Sequence, residues 1–276
     1  MDATYTTIDT IRTRYRRSEK TNSPTLLLTN AWPQSIRCWD SSWDKLSQQF
    51  GLLAYDMPGF GLSEGNLDRM SPSQQGTFAL KLMDHFGIDK VHGVGPDVGM
   101  PVMLWLAENH PDRLYSIITF NGPAFYPPFA SLELDALIKS KELRQITSYT
   151  GLGFAAIAII RGYQHFTPPL DALLEYAQFN GNAEKFSLTL EYLASYPQEL
   201  KVIGEKLKQI DVPVFLLWGD KDPFLHIENA QQTRNLLKHC KYQVLQGCGH
   251  FSHEDAGKMF VEAVCKWCLE EYKNIG

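Results

Sequence analysis

No stretch of this chain limits its fold more than Lys90-Val91-His92-Gly93-Val94-Gly95-Pro96-Asp97-Val98-Gly99 and the helical segment that follows it to Asn109. Mostly apolar residues run into a turn with glycine two places before and two places after one polar side chain, Asp97. This is the layout of a nucleophile elbow, a sharp strand-to-helix turn that lifts one residue above a sheet. Small flanking residues let such a turn close where bulkier ones would meet neighbouring backbone. Aspartate accepts the left-handed backbone of the turn better than most side chains, because its short polar group bonds locally. The helix behind it aims unpaired N–H groups and positive dipole at the carboxylate. Asp97 is therefore expected to be ionised and exposed.

Composition supplies the core that such a turn needs. With 276 residues, 44% hydrophobic and 12% aromatic, the chain has the size of one large domain, or of one domain with an inserted lid. The formal charge is −5, and the one basic cluster, Arg12-Thr13-Arg14-Tyr15-Arg16-Arg17, alternates as a half-exposed strand does. Nucleic acid is not an expected partner. Five scattered cysteines, an odd number, suit a reducing compartment. Cys265 and Cys268 form a C-x-x-C inside a helical pattern with no second ligand pair beside it. Two packed thiols are expected there, and the histidines outside the last loop have no metal-ligand spacing. Met1–Tyr5 carries no basic-then-apolar leader. The longest apolar run, Gly151–Ile160, is about half of a membrane span. These readings predict a cytoplasmic monomer or homodimer, off the membrane and without a metal.

Taken in order, Thr6–Arg17 reads as a hairpin on an outer edge of a sheet. Thr25–Thr29, Gly51–Asp56, Val91–Val94, Ser116–Phe120, Val212–Trp218 and Tyr242–Leu245 read as strands, most of them buried on both faces. Helices are predicted over Trp39–Gln49, Ser73–Phe86, from Val98 to before Pro111, over Gln231–Lys238 and over Glu254–Tyr272. Strands alternating with helices imply an α/β fold around a mostly parallel sheet. Residues 123–209 break the alternation, with helical segments, prolines and aromatics but no buried strand. They read as a helical cap inserted into a core of residues 1–122 and 210–276, over the carboxyl ends of the strands, where such sheets bind ligands.

An aspartate nucleophile needs a base to activate water and a second carboxylate to orient that base. Gly219-Asp220-Lys221-Asp222 follows one strand, and Gly247-Cys248-Gly249-His250 follows the next. At these residues the chain resembles the α/β-hydrolase superfamily, in the branch that contains epoxide hydrolases and haloalkane dehalogenases. Tyr55-Asp56-Met57-Pro58-Gly59-Phe60-Gly61-Leu62-Ser63 resembles that branch's D-x-P-G-x-G-x-S turn, and Gly95-Pro96-Asp97-Val98-Gly99 its G-x-D-x-G elbow. The G-x-x-D segment picks Asp222 over Asp220 as the acid, and Gly249-His250 carries the base. The resemblance covers Thr25–Gly122 and Val212 to the C-terminus. It implies a cofactor-free hydrolase in which Asp97 attacks carbon, Asp222 orients His250, and His250 activates water against the resulting ester. The backbone N–H groups of Trp32 and Val98 would form the oxyanion hole.

The chain also departs from the family. Asn30-Ala31 stands where the family carries His-Gly, so Asn30 either replaces the histidine's local bonds or meets the ligand. Val98 stands where many dehalogenases place a halide-holding tryptophan, leaving Trp32 as the available indole. Epoxide hydrolases use cap tyrosines as acids; Tyr149, Tyr163, Tyr176, Tyr192 and Tyr196 are the candidates, with Tyr149 and Tyr192 the expected pair. A small apolar substrate, epoxide ahead of alkyl halide, is the expectation. A ligand-binding member of the fold that performs no hydrolysis is the reading from a different class. No G-x-G-x-x-G opens the first strand–helix unit, so no dinucleotide cofactor is expected.

Overall fold

Strand and helix alternate as the hydrophobic runs require. The computed structural model describes residues 4–275, so Met1–Ala3, which open the stretch read for a leader, lie outside the described residues. Strands β1 (Thr4–Ile8), β2 (Ile11–Ser18), β3 (Thr25–Leu28), β4 (Gly51–Tyr55), β5 (Val91–Pro96), β6 (Leu114–Phe120), β7 (Val214–Gly219) and β8 (Cys240–Leu245) form one sheet. Their spatial order is β1-β2-β4-β3-β5-β6-β7-β8. The β1–β2 hairpin and the β2–β4 pair are antiparallel, and every pair from β4 through β8 is parallel.

Between strands lie α1 (Asp40–Ser47), α2 (Pro72–His85) and α3 (Gly99–Asn109). Residues 123–209 add α4 (Leu132–Lys139), α5 (Lys141–Thr147), α6 (Gly151–Gly162), α7 (Leu170–Asn180) and α8 (Ala183–Lys206), and no strand among the described residues. Then come α9 (Glu228–Leu236), α10 (Ser252–Ala256) and α11 (Lys258–Leu269). The last two replace the single helix expected from Glu254 to Tyr272. Gly257, at φ 49°, takes a left-handed turn that breaks it.

Successive residues of a strand point to opposite faces, which explains the unbroken apolar runs. Leu26, Leu28, Phe215 and Leu217 pack with Trp43 of α1 and Trp267 of α11. Leu27, Leu53 and Leu216 pack with Phe78 of α2 and Met103 of α3. The sheet winds from β3 to β4 on one side and to β5 on the other, so the loops after β3 and β5 diverge. That reversal leaves a crevice at the strands' carboxyl ends.

The basic cluster of β2 is spent on pairs within the molecule. Arg14 is buried and makes a two-pronged contact to Glu175 of α7, at 2.6 and 2.9 Å, with Asp56 at 3.4 Å. Arg12 and Arg17 lie over the rings of Tyr5 and Phe86. All five cysteines are free thiols, and no described helix is long and apolar enough to cross a membrane.

Candidate active site

Asp97 sits where β5 breaks into α3, at φ 45°. Its amide donates to Phe120 O at 2.9 Å, which anchors the turn to β6. The flanking glycines are forced by contact: a Cβ on Gly95 would stand 2.4 Å from Gly99 O, and one on Gly99 would stand 2.0 Å from Thr29 Oγ1. The carboxylate is more enclosed than the sequence suggests, at 8% exposure, because it forms the floor of a covered cavity.

The loops after β7 and β8 bring the other two groups to it. Asp222 Oδ1 accepts from the amides of Phe224 and Leu225, at 2.8 and 3.0 Å. Its Oδ2 accepts from His250 Nδ1 and from Asn121 Nδ2, both at 2.8 Å. Asp220 faces elsewhere and accepts the amide of Gly247. His250 Nε2 then lies 3.5 Å from Asp97 Oδ1. The His250 amide donates to Gly162 O at the end of α6, and a Cβ on Gly249 would stand 2.2 Å from that same oxygen. Glycine before the histidine is what lets loop and helix meet. Burial disfavours charge on the ring, yet the Asp222 and Asp97 carboxylates outweigh it and raise the His250 pKa to about 10. The resting ring is an imidazolium between two carboxylates.

Of the two amides expected at an oxyanion hole, that of Trp32 donates to Asp97 Oδ2 at 2.9 Å. Val98 follows Asp97 directly, caps the start of α3 and lines the cavity with it. Above them is a cavity of about 340 Å³, walled by Trp32, Phe154, Leu134, Ile138, Leu193 and Tyr196. Trp32 stacks on Phe154 at 4.9 Å, and its Nε1 is buried without a partner among the described residues.

Three residues expected at the ligand are elsewhere. Tyr149 is 86% exposed on the outer surface. Tyr192 is fully buried, and its hydroxyl donates to Val98 O at 2.8 Å rather than facing the cavity. Asn30 is also fully buried; its Nδ2 donates to Ala31 O and its Oδ1 accepts from the Met57 amide. It ties the Trp32 loop to the turn at Asp56 and does not line the cavity.

Residues 24–257 match the family described as the alpha/beta hydrolase fold. The chain belongs to that family. Among curated relatives, it is 25% identical over 256 residues to the dihydrolipoyllysine-residue acetyltransferase component of an acetoin cleaving system from Cupriavidus necator, covering 92% of this chain and 65% of that protein. Epoxide hydrolase 1 of Caenorhabditis elegans is 22% identical over 99% of this chain and 71% of its own length. Among solved structures, the haloalkane dehalogenase DbeA from Bradyrhizobium elkani superposes with a TM-score of 0.83 at 18% identity, over 97% of each chain. That likeness speaks for the fold alone.

Two residues of this α/β hydrolase chain carry more of the site than the sequence indicates. Asn121, directly after β6, accepts from Gly219 N and Ser252 Oγ while donating to Asp222. A polar residue at the carboxyl end of a buried strand was the available sign of it. Tyr196 lines the cavity, and its hydroxyl has no hydrogen-bond partner among the described residues. Burial, with Asp97 nearby, pushes its pKa well above that of a free phenol, so it keeps its proton.

Proposed function

We propose that this α/β hydrolase opens a small, largely apolar epoxide through a covalent ester on Asp97, beneath a cap formed by residues 123–209. One observation carries the reading: a single carboxylate on the floor of an apolar cavity is held at Oδ2 by the Trp32 amide and faces His250 Nε2 at Oδ1. Asp97 Oδ1 attacks a ring carbon and the carbon–oxygen bond breaks, with the Tyr196 hydroxyl supplying the proton to the ring oxygen. Ester formation removes one of the two charges that hold the proton on His250. The ring then gives up that proton, which restores the phenol, and neutral Nε2 takes a proton from water. Hydroxide adds to the ester carbonyl, whose oxygen is the former Oδ2 beside the Trp32 and Val98 amides. Collapse returns carboxylate, imidazolium and diol.

Halide displacement is the second reading, favoured by the unpartnered Trp32 Nε1 in the cavity wall. The Val98 side chain offers it no second donor. Five free thiols suit action in a reducing compartment.

Intact-mass and peptide mass spectrometry of His250→Gln with a panel of epoxides and alkyl halides tests both readings. A substrate-derived adduct on Asp97 is expected. Substrates that wild type turns over without any adduct in the variant would sink the ester mechanism. Tyr196→Phe should lower epoxide turnover by about 100-fold or more while sparing halide release.

A further inference from the structure

The cavity rim carries two opposite charges, and they are not equally occupied. Arg161, near the end of α6, and Glu133, in the first turn of α4, both line it. Arg161 Nη1 donates to Glu133 Oε1 at 3.3 Å, with the two side chains 42% and 66% exposed. Glu133 is served chiefly by its own helix. Its backbone amide and the Ser131 hydroxyl hold its pKa below the usual carboxylate range, with Arg161 contributing after them. The guanidinium offers five N–H donors, and that one long contact is its only hydrogen bond among the described residues. An exposed pair of this kind adds little stability and is readily exchanged.

Arg161 is also aligned with the reaction centre. Its Cζ lies 5.4 Å from the centroid of Phe224, and the Phe224 ring stands edge-on to His250 at 5.3 Å. Cation, phenyl and imidazole form a column from the rim down to the floor. The floor itself repels anions, because Asp97 and Asp222 flank a single imidazolium and leave a net negative charge. A carboxylate entering head first would meet Asp97 where little water screens the repulsion. Held at the rim, it would meet a guanidinium whose fork matches its two oxygens. Pro128, Leu134, Ile138, Phe154 and Ile157 line the apolar path between.

We propose that Arg161 receives the head group of an amphiphilic acid, a substrate whose carboxylate stays at the rim while its apolar chain carries the electrophilic carbon down to Asp97. The electrophile in this statement rests on the proposed function; the anion site does not. Isothermal titration of octanoate and its neutral isostere octanamide, at neutral pH and low ionic strength, separates the two. Wild type is expected to bind octanoate about tenfold tighter than octanamide. Arg161→Gln should bring the two within about twofold without changing octanamide, Arg161→Lys should keep part of the preference, and Glu133→Gln should widen it. Equal affinities in wild type, no binding of octanoate, or a preference that survives Arg161→Gln overturns the proposal. An octanoate preference lost in Arg161→Gln, alongside a failed adduct search in His250→Gln, would remove the ester mechanism and leave the anion site standing.

Discussion

His250 stands between carboxylates with unequal obligations. Asp222 accepts four hydrogen bonds, from the His250 ring, Asn121 and two backbone amides, so it is fixed in place and fixes the imidazole. Asp97 accepts the Trp32 amide at Oδ2 and otherwise makes the longer contact to His250, so Oδ1 is the less engaged of its two oxygens. Asp222→Asn offers only one acceptor oxygen where four donors converge, and it removes the charge that helps hold the ring's proton. Its turnover should fall by about 10³-fold or more, read in single-turnover assays as slow loss of the Asp97 ester. These three positions are legible in the sequence because a tight turn constrains residue types locally. Tyr192 and Tyr196 show the opposite case. They are one turn apart on α8 with ring centroids 5.5 Å apart, and packing of the whole helix decides which of them meets the cavity. Asn30 was ambiguous for the same reason: its partner Met57 comes from another loop.

At the scale of elements, the sheet and the helices of residues 123–209 are joined by polar contacts in dry surroundings. Arg14 of β2 reaches Glu175 of α7, which also accepts the Ser35 hydroxyl from the segment after β3. Gln34 Nε2 bonds both Tyr163 and Glu254, so the end of α6 is tied to α10. Glu175→Ala would leave the Arg14 guanidinium buried with only the 3.4 Å contact to Asp56. Removing one member of a buried pair costs about 3 kcal/mol, and urea denaturation should register a loss of that size. The periodicity of the strands foretells the sheet, because burial on both faces demands unbroken apolar runs. The arginine pattern foretells a strand but not its partner, since Glu175 lies far along the chain. One glycine, Gly257, turns the expected last helix into two, a backbone effect that side-chain periodicity does not report.

For the whole molecule, burial sets a dependence of stability on pH. Burial raises the Glu254 pKa from 4.5 to about 8, against the hydrogen bonds from Tyr163 and Gln34. A folded-state pKa above the unfolded one means the folded form keeps a proton that the unfolded form releases. Its contribution is full below 4.5 and is lost as pH rises through about 8. Glu254→Gln keeps an oxygen for both donors and cannot ionise. Thermal melts should show the variant gaining on wild type steadily between pH 5 and pH 8, and a constant difference would contradict this account. The overall plan was readable because strands and helices alternate from β3 onward except in residues 123–209; the packing of that segment was not, since five successive helices have no local rule for their angles. One property of the sheet bears on how such a molecule changes over generations. β6 and β7 are adjacent and parallel, so the segment between them leaves once at the carboxyl end of β6 and crosses back once to the amino end of β7, where Val214 stands opposite Ile117. Doubling the length of a closed loop costs only about 0.6 kcal/mol. One contiguous block of chain, residues 123–209, can therefore be exchanged while the sheet and the Asp97, Asp222 and His250 side chains are inherited intact.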